Sequence, residues 1–583
     1  MRTHAALLGA ALGAWFAPTV AWPVVVLALT VLAAGRRRSL LVAGAVFLVA
    51  SGAATHATRA MDFPEADTFD GWVTLVDDPR ASGPVGVRVT VRSGRRRLVA
   101  SAHGPAAGRL DDRLAGEQVR LRGTIRPVSR TDRRSLDRHV VGRITVEEVV
   151  DGRGAPPLLA GTNEIRRRLA SGAESLSRAD QALFLGMVIG DDRDQTAATA
   201  DDFRAAGLGH LLVVSGQNVA FVLAIAMPVA GRLRPAGRAV VLFAVLGAFA
   251  TLTRFEPSVL RAVAMAGVGI GSTALGRPVE GRRGLSLALA GLLLVDPFLI
   301  QVVAFQLSAS ATAGIVWLSA PLGDRLPGPG WLTVPVATTV SAQLAVAPVL
   351  VGIFGPMPLA ALPANVLAGP ASGVVMIWGC TGGLVAGVLG GTAARVLHLP
   401  TRALLWWIGG VARVSAAAPP AMLGAAALAV IGFAVLVAVV RRGWGAAAAT
   451  VVALVCLQSV RSAAVPAPGI TSLGDGVIVA HHDGSVVLLD DPGSPRRVLE
   501  QLRLAGVRRP VLIVARDGDR ADADAVLALH DRFGPVPVAA PPLHRVPGGR
   551  TVQPEQAIVA GGLTVIVVEV EPRLEIAFGE ADP

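Results

Sequence analysis

Residues 207–222, GLGHLLVVSGQNVAFV, decide the class of fold that this chain can adopt. His210, Ser215, Gln217 and Asn218 interrupt a stretch that is otherwise apolar. Polar groups inside hydrocarbon must bond to other helices or line a wet cavity, and the Ser-Gly step weakens a helix at the same point. The pattern predicts a broken membrane helix beside an aqueous path, with His210 and Gln217 on one helical face. The alternative is hydrogen bonding that only holds helices together.

The composition of the whole chain also indicates a membrane protein. Of 583 residues, 52% are hydrophobic and 16% are charged, against about 25% charged in a typical soluble domain. These values exclude disorder, collagen and a secreted disulfide scaffold. The net charge is +12 and Lys is absent, so the strongly basic side chains are all Arg forks, which suit phosphate. Basic loops also orient membrane helices, which is the alternative reason for the charge.

Apolar stretches predict about 11 or 12 membrane spans in an α-helical polytopic protein. The N-terminal spans occupy residues 1–58, with Arg36 to Arg38 between them. The positive-inside rule puts the short basic loops in the cytoplasm and two soluble segments outside, in a multi-pass protein of the cytoplasmic (inner) membrane. A central transmembrane domain, 205–462, carries predicted spans near 208–230, 239–253, 257–276, 284–300, 302–322, 331–353, 359–390, 421–440 and 444–460, with a weaker one at 396–413.

Three segments differ from the apolar regions. Residues 59–160 carry short alternating stretches separated by Gly, Pro and Asp, which predict a small β-barrel or sandwich. Residues 161–204 form a helical connection, in which an Arg-rich amphipathic pattern over 163–186 predicts a helix at the membrane surface. Residues 463–583 predict an α/β domain, with strands at 477–479, 486–489, 511–514 and 563–570 and helices at 495–504 and 523–532.

Further polar residues lie within or beside the apolar stretches. Pro257 suits the first turn of a helix, which places Arg261 about one turn inside a span, where a guanidinium needs an anion. Glu256, or Asp191 and Asp192, could supply it as structural ion pairs, and a polyanion passing through the membrane could supply it instead. The predicted channel lining comprises His210, Ser215, Gln217, Asn218, Arg254, Glu256, Arg261, Gln306, Ser308, Gln343 and Asn365. Taken singly, Gln306, Ser308, Gln343 and Asn365 also suit packing contacts.

Five ordered segments resemble the ComEC family of bacterial DNA-uptake channels: LGMVIGDDRD (185–194), FRAAGLGHLLVVSGQNV (203–219), PSVLRAVAMA (257–266), DPFLIQVVAFQLSASATAG (296–314) and LPANVLAGPASG (362–373). The resemblance covers about residues 180–440, and segment 59–160 is similar to the family's oligonucleotide-binding-like (OB-like) domain. It implies a channel for one strand of incoming DNA, working with an extracytoplasmic DNA receptor and a cytoplasmic DNA-translocating ATPase. Asn218 departs from the pattern, because many relatives carry His there.

The C-terminal segment resembles the metallo-β-lactamase-like domain of many members, in a truncated form. SLGDGVIVAHHDGSVVLLDDPG, residues 472–493, is similar to that fold's opening hairpin. A two-metal site needs imidazole and carboxylate ligands together, yet ARDGDRADADA, after strand 511–514, contains no His. We therefore expect a degenerate domain with no catalytic residue, metal or cofactor. His481, His482, His530 and His544 are predicted to be surface residues, and the alternative is a carboxylate-only Mg²⁺ site of Asp517, Asp519 and Asp522.

The outer β segment carries the candidate DNA-binding residues. Single-stranded DNA needs a hydrated groove with a cationic lining, and stacking could use only Phe63, Phe69 and Trp72, because Tyr is absent. A solvated strand face or contact with lipid headgroups would explain the same arginines. For the whole chain, the rival functions are a transporter of small anions or lipids and a membrane-anchored metal-dependent hydrolase or nuclease. The predicted DNA-binding residues are Arg88, Arg92, Arg95, Arg96, Arg97, Arg120 and Arg122.

Overall fold

The computed structural model describes residues 62–417, 422–423 and 469–580, with short gaps at 83–85, 130–131, 133–134, 136–137, 355–356, 359, 508 and 572. The spans predicted in residues 1–58 and near 421–440 and 444–460 lie outside the described residues. Within the described residues, a β-barrel, a helical domain and an α/β domain follow one another along the chain.

The barrel is a six-stranded sheet that closes on itself. Strand β1 pairs antiparallel with β5 along its length and with β3 at Thr74 and Leu75, while β4 and β6 run parallel. Apolar side chains alternate inward, and Val91, Leu98 and Leu121 are fully buried. The predicted β structure is therefore confirmed, and ring closure makes it a barrel. Its elements are β1 Asp67–Leu75, β2 Arg80–Ala81, β3 Gly86–Ser93, β4 Arg96–His103, α1 Pro105–Asp111, β5 Gln118–Pro127 and β6 Val140–Arg153.

The connection after the barrel contains α2 Pro157–Ala173, α3 Arg178–Ile189 and α4 Ala197–Ala205. The prediction of a single amphipathic helix over 163–186 is wrong, because the chain breaks between α2 and α3. There Ser177 Oγ accepts a hydrogen bond from the Asp180 backbone N–H at 3.2 Å and caps α3. Every residue from Ala182 to Ile189 is buried, so most of α3 lies inside the protein and only its first turn reaches solvent.

Among the described residues of the helical domain, four helices are long and apolar enough to cross a membrane: α6, α9, α10 and α11. The predicted span 208–230 is shorter, because its helix begins only at Gly216. The predicted span 284–300 ends at Val295, where Pro297 follows and Asp296 accepts from the Phe298 N–H at 3.0 Å. The helices are α5 Gly216–Ala230, α6 Pro235–Leu252, α7 Pro257–Ala274, α8 Gly281–Val295, α9 Val303–Gly323, α10 Gly330–Phe354, α11 Ala361–Leu389, α12 Gly391–Leu397 and α13 Leu399–Ala417. A two-strand pairing, β7 Met357–Pro358 with β8 Met422–Leu423, adjoins them.

The C-terminal domain has a six-stranded sheet between two layers. Its order is β14-β13-β12-β11-β10-β9, and β11 to β14 are parallel. Two helices cover one face and a three-stranded sheet covers the other. The predicted strands and helices are confirmed within a few residues. The elements are β9 Gly469–Gly474, β10 Val477–His481, β11 Ser485–Leu489, α14 Pro495–Leu504, β12 Pro510–Ala515, α15 Arg520–Phe533, β13 Val538–Ala540, β14 Gly549–Thr551, β15 Ala557–Ala560, β16 Leu563–Glu569 and β17 Glu575–Glu580.

The C-terminal domain contacts both other parts. Ala198 of α4 packs into its apolar core. Arg503 pairs with Asp201 at 3.3 Å, and Arg532 pairs with Asp202. Towards the barrel, Arg520 Nη2 donates to the Ser82 carbonyl at 3.0 Å. The α4 helix therefore carries the docking surface for this domain.

Candidate functional site

The predicted break in the helix at Ser-Gly is confirmed. Residues Gly209–Leu211 form a separate 3₁₀ turn, and α5 begins at Gly216. Ser215 Oγ donates to Asn218 Oδ1 at 3.2 Å and makes no capping hydrogen bond to the helix backbone. The buried Asn218 donates from Nδ2 to the Met187 carbonyl at 2.9 Å, which joins α5 to α3. The prediction that His210 and Gln217 share one helical face is wrong, because they lie on different elements.

Arg261 lies one turn inside α7, as predicted from Pro257, and only 7% of it is exposed. Its Nε donates to Ser308 Oγ on α9 at 2.7 Å. No carboxylate among the described residues lies within ion-pair distance of its guanidinium. Asp191 pairs instead with Arg166 and Arg193, and Asp192 pairs with Arg80. Among the described residues, neither of the structural ion pairs that the sequence suggested for Arg261, with Glu256 or with Asp191 and Asp192, is formed.

The guanidinium of Arg261 lies against the first residue of α5. A Cβ atom built on Gly216 would lie 2.2 Å from Arg261 Nη2 and 3.2 Å from Ala262 Cβ. Only glycine leaves space for this approach. Together with Ser308 and the Ser215–Asn218 pair, these contacts bring four of the predicted lining residues to the junction of α5, α7 and α9. We call this group, Ser215, Gly216, Asn218, Arg261 and Ser308, the α5 cluster.

Arg254 belongs to a different group, which joins the barrel to the helical domain. It lies at φ 57° in the turn between α6 and α7, and its Nη2 donates to Asp78 Oδ1 at 2.8 Å and to Asn163 Oδ1 at 2.7 Å. Arg166 reaches the same Asp78 at 2.8 Å and Asp191 at 3.2 Å. We call Asp78, Asn163, Arg166, Asp191, Arg193 and Arg254 the junction network. The sequence did not identify Asp78, which lies in a turn, or Arg166, which lies in an amphipathic pattern.

The carboxylates of the junction network are held ionised. Burial alone would raise the pKa of Asp78, but the charges of Arg166 and Arg254 lower it below its usual value. Burial likewise opposes ionisation of Asp191, yet its hydrogen bonds with Arg193 and the charge of Arg166 lower its pKa to about 2. The network is therefore a set of compensated charges, and Arg254 is engaged by groups of the protein itself.

The other predicted lining residues are dispersed. Gln306 Nε2 donates to the Ile300 carbonyl at 2.7 Å, and Asn365 Nδ2 donates to the Ala361 carbonyl at 2.7 Å. Asn365 also approaches the Gly207 carbonyl at 3.3 Å, beside the segment that precedes α5. His210 and Gln217 are exposed, whereas Glu256 and Gln343 are half-buried. The role of these residues as a channel lining stays a prediction.

The predicted DNA-binding arginines divide into two sets. Arg96 pairs with Asp62, and Arg120 and Arg122 pair with Asp70. The second set is exposed on the β3–β4 hairpin, where Arg92 lies directly opposite Arg97. None of its members forms an ion pair with another described residue. We call this set, Arg88, Arg92, Arg95 and Arg97, the hairpin arginines.

The carboxylates of the C-terminal loop are engaged by groups of their own domain. Asp519 caps α15 by accepting from the Asp522 N–H at 3.0 Å, and Asp517 pairs with Arg573 at 2.9 Å. The buried Asp522 accepts from the Gly518 N–H at 2.8 Å, and burial raises its pKa to about 7. Within the described part of the chain, no group of three or more His, Cys, Asp or Glu side chains has the geometry of a metal site.

The four histidines of this domain do not form a common cluster with other potential metal ligands among the described residues. His482 is exposed, as predicted. His481 bonds to Ser485 Oγ at 2.8 Å, and His530 Nε2 lies 3.0 Å from the Val536 carbonyl. His544 Nδ1 accepts from the Val546 N–H at 3.2 Å. These last three are half-buried, so the prediction of surface exposure holds fully only for His482.

The apolar helices define a helical membrane protein with separate β-containing domains. Residues 187–444 match the profile of the family described as Competence protein. The chain is also 25% identical over 247 residues to ComE operon protein 3 of Bacillus subtilis (strain 168), an alignment that covers 42% of this chain and 31% of that relative. No solved structure gives a significant match. The resemblance to ComEC-type proteins is thus confirmed.

Proposed function

We propose that the chain is a membrane channel that carries single-stranded DNA across the cytoplasmic membrane during natural transformation. The competence-family domain and its apolar helices support this role. The chain aligns with less than a third of the length of its Bacillus relative. The proposed activity is therefore argued from the residues of this chain as well as from the sequence match. An extracytoplasmic DNA receptor would deliver the strand and a cytoplasmic ATPase would pull it.

The barrel is proposed as an OB-like module that receives the strand outside the membrane. Its ring order β1-β3-β4-β6-β5, the parallel β4–β6 pair and the helix α1 after β4 support this assignment. OB modules bind single strands on a face formed by the second and third strands of their ring. Because the two-residue strand β2 lies outside the ring, these strands are here β3 and β4. The hairpin arginines lie on these two strands and on the turn that joins them.

The unpaired hairpin arginines are the observation that carries the proposal. Like charges directly opposite each other in an antiparallel pair destabilise a sheet, yet Arg92 and Arg97 face each other with no acidic partner among the described residues. Such an arrangement is stabilised by an external polyanion. The phosphates of a single strand provide the charge and a spacing that several arginines can follow.

Charge reversal of the hairpin tests this role. Arg92→Glu with Arg97→Glu should abolish DNA uptake in a transformation assay and weaken binding of oligothymidylate by the full chain in nanodiscs. The plot of log K against log salt concentration has a negative slope, and the magnitude of this slope should decrease by about 0.7 for each phosphate that the hairpin no longer binds. The matched control is Arg120→Glu with Arg122→Glu, because both arginines already pair with Asp70. Equally weakened binding in both variants would refute a specific role for the hairpin.

We also propose that the C-terminal domain is a degenerate metallo-β-lactamase-like module without nuclease activity. The capping, ion-pair and backbone contacts of Asp517, Asp519 and Asp522 support a structural role for each. The test is a nuclease assay of the full chain with added Mg²⁺ or Mn²⁺. Cleavage that Asp517→Ala abolishes would overturn this proposal and favour the hydrolase.

A further inference from the structure

The α5 cluster places two positive groups against each other with no negative group between them. The N-terminus of a helix carries about half a positive charge, and its first N–H groups have no partner within the helix. In α5, Ser215 does not cap these groups with its side chain, and no described group accepts from the N–H of Gly216 or Gln217. The positive end of α5 is therefore uncompensated.

Arg261 points at this same helix end. It is more than nine-tenths buried, and its Nη2 lies so close to Gly216 that a methyl group there would clash. Its one hydrogen bond to a described group is from Nε to Ser308 Oγ, so both terminal nitrogens are free to donate. A guanidinium facing a helix N-terminus is unfavourable unless an anion lies between them.

We propose that the α5 cluster binds one phosphodiester oxygen pair, with Arg261 Nη1 and Nη2 on one side and the N–H groups of Gly216 and Gln217 on the other. Forked guanidinium donors and helix-end N–H groups are both established protein partners of phosphate. The site deepens the proposed function, because a strand crossing the membrane would bind here through its backbone, without regard to base sequence. A lipid headgroup offers the same phosphodiester chemistry.

Two variants remove this site in different ways. Gly216→Ala keeps every charge and needs no unusual backbone angle, since Gly216 does not have a positive φ, but its methyl group would push the guanidinium aside. Arg261→Gln removes the charge and keeps a hydrogen-bonding side chain. The control is Gly269→Ala on the same α7 helix, where a new methyl group meets nothing within 4 Å.

The experiment uses the full chain in nanodiscs of zwitterionic lipid. An abasic phosphodiester oligomer and fluorescent oligothymidylate are the probes, with thermal unfolding as the check on folding. Both site variants should bind either probe about tenfold more weakly, which is the reduction expected when charged hydrogen bonds are removed. For both variants, the magnitude of the slope of log K against log salt concentration should decrease by about 0.7, the value for one phosphate. Gly269→Ala should match the parent chain.

A second arm separates the two sources of phosphodiester. Phosphatidylglycerol is added to the nanodiscs without oligomer, and the shift in unfolding temperature is measured. A shift that Gly216→Ala removes, with oligomer binding unchanged, would assign the site to lipid and overturn the DNA assignment. Unchanged responses of both variants in both arms would overturn the site. The channel proposal fails separately, if deletion of the gene leaves transformation intact.

Discussion

Replacement of Asp78 by Asn should detach the barrel from the helical domain. Asp78 is 7% exposed and accepts from Arg166 at 2.8 Å, from Arg254 at 2.8 Å and 3.1 Å, and from the Ala115 N–H at 2.8 Å. Asn preserves the shape and one acceptor oxygen but removes the charge shared by two guanidinium groups. Arg166 would keep its ion pair with Asp191, whereas Arg254 would keep only its hydrogen bond to the neutral Asn163 side chain.

The expected cost is about 3–5 kcal/mol, because removing one partner of a buried ion pair leaves an uncompensated buried charge. The matched control is Asp70→Asn. Asp70 also pairs with two arginines of the barrel, but the pairs are exposed, so the free energy of unfolding should barely change. The two substitutions are chemically identical and differ chiefly in burial.

Hydrogen exchange of the full chain in nanodiscs gives a regional measurement. Asp78→Asn should increase exchange at the start of α7 and in the β1–β2 turn, while amides inside the barrel stay protected. Adding Arg254→Gln should then restore part of the stability, because the unpaired charge is removed as well. An Asp78→Asn variant no less stable than Asp70→Asn, or a double variant whose destabilisations simply add, would refute a compensated network.

Three further outcomes follow from the contacts. Asp191 has a pKa lowered to about 2, so its stabilising effect is complete above about pH 4 and is lost as pH falls towards 2; a stability–pH curve for Asp191→Asn should be flatter in this range. Asp519→Ala should cost about 1 kcal/mol in chemical denaturation by removing the cap of α15, whereas Asp531→Ala on the same helix should have no comparable effect. Asp201→Asn should speed hydrogen exchange in the helix that carries Arg503 and leave the barrel unchanged, and exchange that changes equally in both would contradict local docking.

The sequence predicted local features well, because their causes lie within a few residues. Alternating apolar side chains predicted the strands of the barrel, and Pro257 predicted the depth of Arg261 in α7. The break at Ser215-Gly216 was also predicted from the chain itself. The break between α2 and α3 was missed, although Ser177 followed by Asp180 is the spacing of a helix cap and could have revealed it.

The junction network could not be predicted from sequence patterns. Asp78 and Arg254 are 176 residues apart, and an aspartate in a turn usually faces solvent. Arg166 lies on a helix whose other arginines, Arg167 and Arg168, are about half exposed, so nothing in the pattern marks it as buried. A charge becomes identifiable as buried only when its partner from another domain is known. For this reason, sequence patterns did not show that Arg254 belongs to the junction network and Arg261 to the α5 cluster.

The acidic residues between α3 and the end of α4 explain why the barrel and the C-terminal domain contact the same part of the helical domain. Asp191 compensates Arg166 in the junction network, and Asp192 pairs with Arg80 of the barrel. Asp201 and Asp202 pair with Arg503 and with Arg532 of the C-terminal domain. Four of the five carboxylates in this short segment thus form ion pairs, one with the barrel, two with the C-terminal domain and one within the junction network. The same segment leads directly into the 3₁₀ turn and the broken start of α5, so the ion pairs of both domains lie close in sequence to the α5 cluster.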